Sequence, residues 1–300
     1  LLLTWTLALL LACASPSLGA PRGAQTTSAQ DETAGWRLDV LPVPQFGRVP
    51  ARATQRPARP PRLVQMSSAP NSITDEREWF ERHNLSLPLY KLEDEPLGDA
   101  FFQAAPLPRF VPLGYRTKRL VMAIRQPRGL LAVYGDDYAS GQYLVALDSS
   151  GRFRYGYDFG NYAYAPQPRP GERQFVYQKI EWAAEADGTL YVQHSHSTYA
   201  RSSRGMNAYL TAIDTGTGRV LWRSAPLVAN ASNFEVVGDL IVSGYGFTNE
   251  PDYLFLLDRA TGEPRQRLPV RSGPRYIIRK GERIFVRAYD ADYVFRLASR

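Results

Sequence analysis

Sulfur and imidazole are scarce in this chain of 300 residues, which has one cysteine and three histidines. A single cysteine, Cys13, cannot pair within the chain, so an internal disulfide and a multi-cysteine zinc site are both excluded. There is no H-E-x-x-H, no G-x-S-x-G and no P-loop, and GYGF at Gly244 lacks the third glycine and following helix of a dinucleotide site. Lysine is rare as well, at Lys91, Lys118, Lys179 and Lys280, so the net charge of +7 is an arginine charge. No apolar run reaches the roughly 20 residues of a transmembrane helix.

One shorter apolar run stands out, from Leu1 to Ala14 (LLLTWTLALLLACA). Its length and the small residues after it fit a signal h-region, so residues 1–20 read as a signal peptide, in a sequence that starts without Met or a basic n-region. The order Leu10, Leu11, Ala12, Cys13 resembles the lipobox of bacterial lipoproteins, which implies a lipidated thiol at Cys13 and a membrane anchor. Simple cleavage after Ala14 or Gly19 is the alternative. Both place the mature protein outside the cytoplasm.

Between Asp39 and Asp75 there is no acid, while Arg48, Arg52, Arg56, Arg59 and Arg62 stand among prolines. Residues 21–70 are therefore expected to form a disordered basic linker, suited to an anionic envelope surface rather than to nucleic acid. Asn71 to Leu85 (NSITDEREWFERHNL) predicts one short amphipathic helix capped by Ser72 or Thr74 and ended by Pro88. The rest of 71–117 is proline-rich and reads as irregular.

From Lys118 the texture becomes an all-β repeat over 118–300. Gly-led strands (GLLAV at Gly129, GTLYV at Gly188, GDLIV at Gly238, GERIFV at Gly281) alternate with strands opening on tyrosine (YLVALD at Tyr143, YLTAID at Tyr209, YLFLLD at Tyr253, YVFRL at Tyr293). The later tyrosines recur at about the 40 to 45 residues of a four-stranded propeller blade. In the fullest copy Asp214 can accept hydrogen bonds from the turn amides, Gly216 and Gly218 can take positive φ, and Trp222 can fill the gap between sheets. The fold expected is an all-β propeller of about four four-stranded antiparallel blades. The final blade lacks its outer strand, for which RFVPLGY from Arg109 is a candidate donor.

The order Ala212, Asp214, Thr217, Gly218, Trp222 resembles the PQQ-like (quinoprotein-like) propeller repeat. That family includes pyrroloquinoline-quinone alcohol dehydrogenases and non-enzymatic outer-membrane assembly lipoproteins. The first copy has Tyr155 and the third Gln266 where the tryptophan is expected. The resemblance implies fold more than activity, because the repeat occurs with and without the cofactor. The vicinal cysteine pair of the quinone enzymes is missing, so no cofactor, catalytic or metal residue is assigned. His194 and His196 point the same way along a strand and would need a carboxylate to hold a metal; otherwise HSH reads as a solvated loop edge.

In such a blade the second-to-third strand loops share one end of the ring. There the sequence places Asp136, Asp137, Tyr138, His196, Tyr199, Arg201, Arg204, Phe247, Asn249, Glu250, Tyr289 and Asp290, aromatics among charge that suit a protein or glycan partner. The function expected is a non-catalytic binding platform in the bacterial periplasm or outer membrane. The alternative is a quinoprotein-type oxidoreductase or a hydrolase working on that same end.

Overall fold

The computed structural model describes residues 33–41, 61–92, 103–137, 140–162, 170–172, 176–177, 179–196 and 203–298. Ahead of the repeats lie β1 (Asp39–Val40), β2 (Arg62–Pro70), α1 (Glu76–His83), β3 (Tyr90–Lys91), β4 (Ala105–Pro106) and β5 (Gly114–Tyr115). The first sheet is β6 (Lys118–Gln126), β7 (Gly129–Gly135), β8 (Gly141–Leu147) and β9 (Phe153–Asp158), extended by β5 at its inner edge and β1 at its outer edge. The second is β10 (Lys179–Ala186), β11 (Thr189–Ser195), β12 (Tyr209–Asp214) and β13 (Val220–Arg223). The third is β14 (Glu235–Val237), β15 (Leu240–Phe247), β16 (Glu250–Asp258) and β17 (Pro264–Pro269). The fourth contains β18 (Pro274–Lys280), β19 (Arg283–Ala288) and β20 (Ala291–Ala298), with β2 as its outer strand.

Within each sheet neighbouring repeat strands run antiparallel, and apolar side chains of both faces are buried between successive sheets. That is the architecture of a β-propeller, and both anchors of the repeated phrase explain it. The tyrosine-led third strand ends on an aspartate whose carboxylate organises the next turn. Asp214 Oδ1 accepts from the amides of Gly216 (3.0 Å) and Thr217 (2.8 Å) and from the Thr217 hydroxyl (2.9 Å). These bonds hold its carboxyl below the usual carboxylate range. Asp148 and Asp258 bind their turns in the same way. Of the two glycines expected at positive φ only Gly218 has it, at 69°.

At the tryptophan position of the phrase, three different side chains do one job. Tyr155, Trp222 and Gln266 stand opposite Ala146, Ala212 and Leu256 on the neighbouring strand. Each reaches the next sheet. The Tyr155 hydroxyl donates to Glu185 at 2.8 Å, where Arg154 also binds both carboxylate oxygens at 2.7 Å. Trp222 Nε1 donates to the Arg259 carbonyl at 3.0 Å. Gln266 accepts from the Leu63 amide at 2.8 Å and donates to the Leu63 carbonyl at 3.0 Å.

That last clamp corrects two expectations. The stretch Arg62–Pro70, assigned to the disordered linker, is a nine-residue strand antiparallel to β20. It, and not the segment from Arg109, supplies the missing outer strand. The segment from Arg109 ends instead in β5, on the inner edge of the first sheet. Leu63 is the one residue of β2 that is buried, 3% exposed, and it enters the apolar layer between the third and fourth sheets.

The fourth sheet connects back to the first through α1 and the residues after it. Trp79 and Phe80 pack on Tyr276, with ring centroids 6.4 and 5.1 Å apart, and Glu76 pairs with Arg275 at 2.7 Å. A few residues on, Pro88 accepts from the Arg125 amide at 2.6 Å and Leu89 bridges Ile124 of β6. The helix is capped neither by Ser72 nor by Thr74. Asp75 is its N-cap, and its carboxylate is taken by the buried Arg287, which also binds Asp292 at 3.1 Å. Among the described residues no helix is long and apolar enough to cross a membrane.

Candidate functional site

The loop end of the ring carries the connections β7–β8, β11–β12, β15–β16 and β19–β20, together with those between successive sheets. Of the twelve residues placed there by sequence, Tyr138, Tyr199 and Arg201 lie outside the described residues, as does Cys13. The others divide into a joined group and separate ones.

Phe247, Asn249 and Glu250 of the third sheet and Tyr289 and Asp290 of the fourth form the joined group. The connection from β17 to β18 links their two loops: Gly273 accepts from the Tyr289 amide at 3.1 Å, Ser272 Oγ accepts from the Asp290 amide at 3.0 Å, and Arg271 pairs with Asp290 at 2.8 Å. Asn230 holds the other loop by exchanging hydrogen bonds with Gly246, 2.9 and 3.0 Å. Asp252 completes the group, and sequence reasoning missed it. Its carboxyl is raised above the usual range by burial and by the negative charges of Asp290 and Glu250. Three carboxylates thus share one field, with Glu250 bonded to the Tyr245 hydroxyl. Beside them Tyr289 stands 63% exposed. An exposed aromatic next to clustered carboxylates can take a cation, through the ring face and the charge together.

Asp136 and Asp137 are exposed on the first sheet's loop, where Asp136 pairs with Lys118 at 2.6 Å. Arg204 is exposed on the second sheet's loop.

His196 contradicts its placement. It is 4% exposed, because Asn207 turns its own amide inward, accepting from His196 N at 2.7 Å and donating to His196 O at 2.9 Å. His194 is fully buried between Phe159 and Tyr162, with ring centroids at 4.9 and 5.0 Å. Burial pushes its pKa down to about 3, with the nearby Arg223 charge adding to the effect. The pair is therefore not a solvated loop edge. Among the described residues no group of three or more histidine, cysteine, aspartate or glutamate side chains is placed to hold a metal ion.

At the opposite, turn end a cleft of about 830 Å³ opens across the second, third and fourth sheets. Tyr191, Trp222, Leu240, Asp258, Arg259 and Arg279 are among its walls. Its arginines are committed to turns: Arg259 pairs with Asp187 at 2.6 Å, and Arg279 Nε donates to the Gly281 carbonyl at 3.0 Å.

The site therefore sits on a β-propeller of four repeat sheets, with its acidic and aromatic groups on the loop end of the third and fourth. No family model matches the chain, and no curated protein matches it. Among solved structures it is similar to BamB from Moraxella catarrhalis, with 12% identity and a TM-score of 0.40, covering 60% of this chain and 44% of that one. It is also similar to the computationally designed Ika4 protein, with 12% identity and a TM-score of 0.41, covering 64% of this chain and 99% of that one. A third is a europium-containing methanol dehydrogenase, with 16% identity and a TM-score of 0.31, covering 51% of this chain and 27% of that one. The chain thus spans less than half of the BamB chain, and no activity is carried over from any of the three.

Proposed function

We propose that this chain is an exported protein of the bacterial envelope whose PQQ-like propeller is a non-catalytic platform for a protein partner. The observation that carries the reading is the group of Tyr289, Glu250, Asp252 and Asp290, held on two rigid sheets and cross-tied by Ser272 and Arg271. Such a surface favours a partner segment bearing lysine or arginine. Support for export is in the sequence, in the apolar run that ends on Cys13.

The test is a photo-cross-linking residue in place of Tyr289 in cells, read against the same residue in place of the exposed Asp136. A discrete adduct from position 289, lost on combining it with Glu250→Gln and Asp290→Asn, is expected. No adduct from either position, or oxidation of alcohols by the purified protein with added pyrroloquinoline quinone and calcium, would falsify the platform reading. Labelling of Cys13 by a fatty-acid probe separates lipid anchoring from simple secretion.

A further inference from the structure

The fourth sheet differs from its neighbours in one row of paired residues next to the turn between its first two strands. In the second sheet that row reads Ala186, Thr189, Asp214, and in the third Val237, Leu240, Asp258. In the fourth it reads Lys280, Arg283, Arg296, each directly opposite the next. No aspartate is needed there to organise an outer hairpin, because the outer partner of β20 is β2. Arginine is not the default replacement, since like charges directly opposite on adjacent strands destabilise a sheet.

All three side chains point away from the third sheet, whose apolar layer takes Ile277, Ile284, Phe295 and Leu297 from the alternate positions. Helix α1 covers the inner part of that outward face, and Lys280 Nζ is held there by the carbonyls of His83 and Asn84 at 2.8 and 3.1 Å. Arg283 and Arg296 are exposed, and among the described residues neither meets a carboxylate. The row continues onto β2, where Val64 stands opposite Arg296 and Arg62 opposite Ala298. Arg62 is exposed, Val64 is 42% exposed and Met66 57%. Glu282, at the turn, is the one acid between Lys280 and Arg283 in sequence.

The geometry points to this row as the surface by which the propeller rests on an anionic phospholipid bilayer. The cations run across three strands, a span of roughly 10 Å, and face outward as a flat strip. Exposed aliphatics beside cations are the combination that an anionic headgroup layer binds, apolar groups entering the acyl boundary while the cations meet phosphate. A β-bulge between Gln65 and Ser67 interrupts β2, which disfavours a strand-shaped acidic peptide pairing along this edge. A lipid surface needs no register. In the sequence Arg48, Arg52, Arg56 and Arg59 precede Arg62 and carry charge of the same sign.

The experiment is co-sedimentation of the full chain, in a Cys13→Ser background that removes any acyl group, with phosphatidylglycerol–phosphatidylcholine vesicles and with phosphatidylcholine alone. Salt-sensitive binding to the anionic vesicles only is expected. Arg283→Gln with Arg296→Gln should weaken it by on the order of tenfold, while the melting temperature stays level or rises as the repulsion is relieved. Arg283→Lys with Arg296→Lys should bind as the parent does. The proposal is overturned if the parent ignores anionic vesicles, if the glutamine pair binds as tightly as the parent, or if the lysine pair loses binding equally. It is also overturned if soluble polyglutamate, and not the vesicles, is what the row captures. None of these outcomes depends on the partner proposed for the loop end.

Discussion

The second and fourth sheets solve the same problem by different means. The second is local: β12 and β13 are joined by a turn that Asp214 organises, and Trp222 fastens the sheet to its neighbour. The fourth is assembled from afar, its outer strand drawn from ahead of every repeat and fastened by Gln266, 203 positions from Leu63. The comparison teaches that the repeated phrase encodes a hairpin and a docking contact as separable parts. The third sheet keeps its Asp258 hairpin while the contact takes another chemical form at Gln266, and in the fourth the outer place beside β20 is filled by β2.

The largest break should come from the donated strand. Leu63→Asp would put an unpaired carboxylate in the layer between the third and fourth sheets. It should cost more than about 4 kcal/mol, read as loss of a cooperative urea transition. Next comes the second sheet's fastener: Trp222→Ala removes a buried indole and should cost about 3 to 5 kcal/mol. Its counterpart, Gln266→Leu, leaves the Leu63 amide and carbonyl without their partner and should cost about 1 to 3 kcal/mol. If Gln266→Leu proved as damaging as Trp222→Ala, the two fasteners would be equal in strength as well as in place.

Acid and base responses sharpen the same contrast. His194, in the second sheet, is neutral when folded with its pKa pushed down to about 3. Between that value and the ordinary pKa near 6.5 the unfolded chain holds the extra proton, so stability falls as pH drops through the window. The His194→Phe protein should lose that slope, about 1.4 kcal/mol for each pH unit, in melting curves taken from pH 7 to pH 4. Glu235, which accepts from the Arg279 amide of the fourth sheet at 3.2 Å, has its pKa pushed up to about 7 by burial. Here the folded state keeps a proton the unfolded chain has already released, so stability falls as pH rises from the usual glutamate range toward 7. Glu235→Gln should be the mildest change, stabilising above pH 7 and neutral near pH 4.

Much of the ring was legible because its signals are local. The glycine-led and tyrosine-led strands lie close in sequence, and Asp148, Asp214 and Asp258 act within a few residues of themselves. β2 was not legible because eight of its nine residues are exposed, leaving no alternating apolar face, and arginine and proline surround it. Gln266 read as a lost tryptophan, since one sequence position does not say that the next sheet offers it a bare amide and carbonyl. At the site, the sharing of one end by the loops followed from blade topology, but the joining of Glu250 to Asp290 depends on Asp252, Arg271 and Ser272, which carry no motif. His196 went inward on the strength of Asn207, eleven positions on.

The distance between β2 and β20 also sets an order of events in synthesis. A chain emerging from its N-terminal side offers β2 long before β20 exists, and until then β2 is a strand with both edges open. The four repeat strands of each of the first three sheets are consecutive and can pair as they appear, with β1 set beside β9 in the first. The fourth cannot, and α1, which packs on Tyr276 and Arg287, must wait with it. Completion of the ring is thus a late, long-range step, and the arginine and proline that flank β2 keep a waiting strand soluble rather than adhesive.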